Sequence, residues 1–140
     1  MANEAKKENW WDFLLNILKE KKQKGEPLKT LTGVKNEILE VGRDHFVVRS
    51  EKRKSLDKRL IHKKRVEYVL KIVIKKGFYD SISAGEYLEL MDFDDKSGLK
   101  GAHTAIIRGL LVYLPFIKKE GRARIVFSSS DYDKTTWDID

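Results

Sequence analysis

Glu37-Ile38-Leu39-Glu40-Val41, then Gly42-Arg43-Asp44, then His45-Phe46-Val47-Val48-Arg49 is the stretch whose reading decides the fold class. Both five-residue runs have strand length and are rich in apolar and β-branched residues. The three residues between them include the glycine and aspartate of a tight turn, so residues 37–49 predict a β-hairpin. Val34 extends the first strand at its start.

The period changes on either side. Upstream, Trp10, Phe13, Leu14, Ile17 and Leu18 recur at spacings of three and four, which predicts an amphipathic helix over 5–22. Trp11 and Leu15 widen its stripe, and Gly25 with Pro27 ends it. Downstream, a helix is expected from Leu56 to Lys76, with Ser55 as N-cap and Gly77 as stop. Val66, Val69, Leu70 and Val73 form the core stripe of its second half. Its first half is crowded with Lys58, Arg59, Lys63, Lys64 and Arg65. Ser83-Ala84-Gly85-Glu86 has capping-box form and opens a short helix through Met91. A third central helix over 101–114 buries Ile106, Ile107, Leu110, Leu111 and Leu114 and stops at Pro115. Arg122 to Phe127 alternates as a strand with its arginines on one face, expected to join the hairpin sheet. Residues from Ser128 onward are expected to fray except where Tyr132 or Trp137 tucks back.

These elements make an α+β domain: an N-terminal helix, a β-hairpin, three central helices and a late strand around one core. The boundaries fall at 1–30 for the helix and its linker, 31–128 for the compact domain and 129–140 for a flexible acidic tail. The order helix, short helix, helix, basic strand resembles a winged helix-turn-helix module in layout. A recognition helix, however, needs a polar face for base edges, and residues 101–114 offer only His103, Thr104 and Arg108. That helix reads as a core element.

Composition narrows the chemistry. The chain has 140 residues, enough for one domain with a core. Without cysteine it has no disulfide, no thiolate nucleophile and no cysteine-ligated metal. The first apolar cluster is too short and too charged for a secretory or membrane-spanning segment, so a cytoplasmic protein is expected, with no integral membrane association. Abundant Lys and Glu with no Cys suit a thermostable protein. The formal net charge is +7, but it is unevenly placed. Residues 49–76 hold twelve basic and three acidic groups, while residues 77–103 sum to −4.

A block of that density suits polyanions, because each neutralised phosphate releases condensed counterions. The expected function is therefore non-enzymatic nucleic-acid binding through the phosphate backbone. DNA is placed ahead of RNA, since no stacking platform for single-stranded bases is evident. Arg49, Lys52, Arg53, Lys54, Arg59 and Lys63 are the expected contacts, with Arg108, Arg122 and Arg124 widening the footprint. Two other classes are compatible. Trp10, Trp11 and Phe13 would anchor a homodimer or a larger protein partner if the N-terminal helix were a docking face. Asp92, Asp94 and Asp95, with Asp44 and Glu51, would suit a metal-dependent nuclease. Against that class, Arg53 stands where the lysine of an acid-x-lysine triplet belongs, and arginine keeps its proton. His45, His62 and His103 lack metal-ligand spacing and read as surface or boundary residues. No cofactor is expected.

Overall fold

The computed structural model describes residues 8–51, 58–80 and 102–139. It is a mixed α+β fold in which three helices pack on two antiparallel sheets. Strand β1 is Glu8–Asn9 and helix α1 is Trp10–Lys24. Asn9 caps the helix: its Oδ1 accepts from the amides of Trp11 at 2.9 Å and Asp12 at 3.1 Å. Asp12 in the first turn and Lys21, Lys22 and Lys24 in the last complement the helix dipole. Gly25, at φ 71°, takes the left-handed conformation that ends it. Trp10, Trp11, Leu14, Leu15 and Leu18 are buried, whereas Phe13 and Ile17 lie at the edge of the stripe.

The expected hairpin is present as β3 (Lys35–Val41) and β4 (His45–Ser50). A register shift between Ile38 and Glu40 bulges β3, which lets both Ile38 and Val41 sit opposite β4. Two further strands extend it, giving the order β2-β3-β4-β5, with β2 Leu28–Lys29 and β5 Arg59–His62.

Strand β5 corrects the helix expected to begin at Leu56. Arg59 to His62 are extended, in register with Val48, Val47, Phe46 and His45. Ile61 is buried and its neighbours Leu60 and His62 are exposed, a period of two. Burying Ile61 against Phe46 decides the conformation of four residues too few to set a helical stripe. Helix α2 then runs Lys63–Lys76 and buries Val66, Val69, Leu70 and Val73, the anticipated core stripe. Gly77, at φ 93°, ends it.

A second sheet has the order β6-β8-β7, with β6 Phe78–Tyr79, β7 Ile117–Glu120 and β8 Arg124–Phe127. The late strand therefore does not join the hairpin sheet. It pairs with β7 across a tight turn and with β6, Phe78 opposite Val126. The nearer partner wins, because closing a short loop costs less chain entropy. Helix α3, Ala102–Leu111, rests on β2 and α2. The expected short helix at 83–91 lies outside the described residues.

Trp137 and Asp138 form β9, parallel to β1, with Glu8 opposite Trp137. Trp137 is 6% exposed and stacks edge-on against Phe13 at 5.3 Å and Phe116 at 5.4 Å. Tyr132 also packs on Phe116, at 5.0 Å. These are the two tail residues anticipated to tuck back. One cluster of buried side chains extends from Trp10 to Trp137 and includes residues of both sheets and all three helices. No described helix is long and apolar enough to cross a membrane.

Candidate functional site

The junction of β5 with α2 concentrates the charge. From Lys58 to Lys76 the chain carries Lys58, Arg59, Lys63, Lys64, Arg65, Lys71, Lys75 and Lys76 against one carboxylate, Glu67. This short unit alone matches the +7 of the entire chain. Sheet pairing fixes the position of β5, and the chain enters α2 without an intervening loop. The first turn of α2 contains no acidic residue, and His62 at the cap position makes no side-chain capping bond. Instead the hairpin loop caps the helix with its backbone: the amide of Lys63 donates to the carbonyl of Asp44 at 2.8 Å. The other end of that loop is held by Trp11, whose indole N–H donates to the Arg43 carbonyl at 2.8 Å.

A cleft of about 570 Å³ opens at this junction, lined by Asp44, His62, Lys63, Lys64, Arg65 and Glu67. Positive side chains and the positive end of the helix dipole act there together, an arrangement that attracts anions. Lys64, Lys71 and Lys75 are exposed, and their spacing of seven and four sets them on one stripe leading away from the cleft. Among the described residues no ion pair engages Lys58, Arg59, Lys63, Lys64, Lys71 or Lys75.

The other expected contacts are placed differently. Arg49 faces outward on β4 and is paired with Glu37 on β3 at 2.7 Å. Arg124 is paired with Asp80 at 3.1 Å and Glu120 at 3.6 Å, and its guanidinium lies over the Phe78 ring at 4.7 Å. Arg122 is exposed, in the turn before β8 rather than on the strand beside Arg124. Arg108 is corrected from a surface contact to a buried strut, only 5% exposed. Its guanidinium donates to the carbonyls of Thr104 and Ala123, tying α3 to the β7–β8 turn. Burial lowers its pKa from the ordinary arginine value, opposed by the nearby Tyr79 and Asp80, yet arginine remains charged. Lys52, Arg53 and Lys54 lie outside the described residues.

Trp10 and Trp11 belong to the core, Trp11 at 2% exposure, and Phe13 is half-buried against Trp137. Their aromatic area is consumed within this chain. Asp92, Asp94 and Asp95 fall outside the described residues. Among those described, no three His, Asp or Glu side chains converge to hold a metal ion.

Lys71 and Lys75, which extend the exposed cationic stripe, and His62, which lines the cleft, were not among the contacts expected from the sequence. The spacing of Lys64, Lys71 and Lys75 was the available signal for the lysines. Nothing short of the strand-to-helix geometry marks His62. No family model matches this chain, and comparison with curated proteins and with solved structures found no significant relative.

Proposed function

We propose that this protein binds nucleic acid non-enzymatically, gripping the phosphate backbone with the β5–α2 unit, with duplex DNA favoured. The observation that carries the reading is the set of six cations at 58, 59, 63, 64, 71 and 75, none engaged in an ion pair among the described residues. A cation already bound to a carboxylate must break that pair to neutralise a phosphate, so Arg49 and Arg124 contribute less than their sequence positions promise. Lys58, Arg59, Lys63 and Lys64 do not bear that cost. Contacts of this kind position a duplex without reading its bases, so affinity is expected to be steep in salt and shallow in sequence.

Titration of duplex DNA, single-stranded DNA and structured RNA by fluorescence anisotropy over a salt series tests the reading. The double variant K63E/K64E should weaken binding to every sequence alike and reduce the log–log salt slope by about 2. Glutamates in the first turn of a helix favour it by roughly 0.3–1 kcal/mol each, so weaker binding would not reflect unfolding. Affinity and salt slope unchanged by the double reversal would remove the assignment.

A further inference from the structure

The lysine stripe on α2 borders a groove that phosphate contacts alone leave unused. We infer that this groove seats an unpaired base, so that the β5–α2 unit prefers duplexes carrying an overhang or a bulge. This rests on the nucleic-acid reading and narrows its substrate class. The groove measures about 360 Å³, and Tyr68, Lys71, Ile72, Lys75 and Lys76 line it. Spacings of three and four place these residues on one face of α2, beside the buried stripe from Val66 to Val73. Tyr68 and Ile72 are half-buried, each packing against the core and also lining the groove. The floor is therefore apolar and includes an aromatic ring.

Helical geometry separates the floor from the charges. At 3.6 residues per turn, Lys64, Lys71 and Lys75 fall to one side of Tyr68 and Ile72, and Lys76 to the other. Tyr68 and Lys76 make further contacts within the chain. Lys71 and Lys75 are exposed and, among the described residues, belong to no ion pair. A strand whose phosphates follow those lysines turns its bases sideways, toward the groove. Paired bases face each other inside the duplex and stay out of reach. An unpaired base is free to turn in, and every base has a flat face that stacks on an aromatic ring.

The experiment compares three DNAs by anisotropy with the full chain: a blunt duplex, the same duplex with a short overhang, and that overhang made abasic. The two overhangs carry the same phosphates, so the difference between them isolates the base. The natural overhang should bind roughly five- to thirtyfold more tightly than the abasic one, at the same salt slope. A fluorescent purine analogue in the overhang should be quenched on binding. Tyr68→Leu, which keeps an apolar side chain but no stacking face, should shrink the ratio between the two overhangs. An abasic overhang bound as tightly as the natural one, or a full ratio retained by Y68L, overturns the role of the groove and leaves the nucleic-acid reading intact. No binding of any of the three in low salt overturns both. Binding of a helical peptide rich in Glu and Leu in that case would give the groove to an acidic protein partner instead.

Discussion

Gly109 marks a close approach of two backbones. A Cβ built at this position would lie 2.3 Å from the Lys29 carbonyl oxygen and 2.9 Å from the Thr30 Cα. Both are main-chain atoms, so no side chain is available to swing aside. Helix α3 rests directly on β2 because residue 109 has no side chain, and β2 is the edge of the hairpin sheet. Gly109→Ala is expected to lower stability by about 3 kcal/mol, the upper range for overpacking a rigid site, despite alanine's better helix propensity. Urea denaturation reads the change as a lower midpoint at an unaltered slope.

Among the elements, the hairpin loop 42–44 links two helix starts: Arg43 accepts from Trp11 of α1 and Asp44 from Lys63 of α2. Trp11→Phe keeps an aromatic ring but leaves the Arg43 carbonyl without its indole donor. A loss of about 1–3 kcal/mol is expected for an under-satisfied polar group, accompanied by faster hydrogen exchange at the Lys63 amide. An unchanged exchange rate there would show that the loop holds α2 without help from α1. The same elements show what was legible beforehand. The hairpin could be read because ten residues of strand pattern flank a turn, and α2 because Val66, Val69, Leu70 and Val73 keep helical spacing. Arg59 to His62 could not, since four residues with adjacent Leu60 and Ile61 fit either period until β4 supplies a partner. Strand β7, with Ile117 as its one apolar residue, exists through its pairing with β8. Charge density was legible in the same way, but its pairing was not. Glu37 reaches Arg49 from twelve residues away and Asp80 reaches Arg124 from forty-four, distances that only strand register brings together.

At the scale of the whole molecule, the turn at residues 133–136 sets how the two ends of the described chain meet. Asp133 accepts from the Thr135 amide at 2.8 Å and from the hydroxyls of Thr135 at 2.6 Å and Thr136 at 3.0 Å. Those bonds lower its pKa below the ordinary 3.8. A depressed carboxyl stabilises the fold at every pH above its unfolded value, and the contribution fades as pH falls through the lower folded value. Neutral solution therefore retains the turn, and acidification below about pH 4 should loosen it. The Thr135 amide resonance is expected to move in that range in the wild type and to stay put in D133N. A wild-type amide that does not titrate there would show that the carboxylate is not what orders the turn. Past this turn the Thr136 carbonyl accepts from the Glu8 amide at 2.6 Å, and Trp137 enters the core beside Phe13.

That parallel pairing of β1 with β9 has a consequence for biosynthesis. A ribosome makes Trp10 and Phe13 more than a hundred residues before Trp137. Until residue 137 clears the exit tunnel, the nascent chain carries an aromatic face without its lid, a state prone to sticking to other chains. Contacts of such long sequence separation also form slowly. Emergence of Trp137, rather than emergence of the hairpin, is the moment at which this core can close.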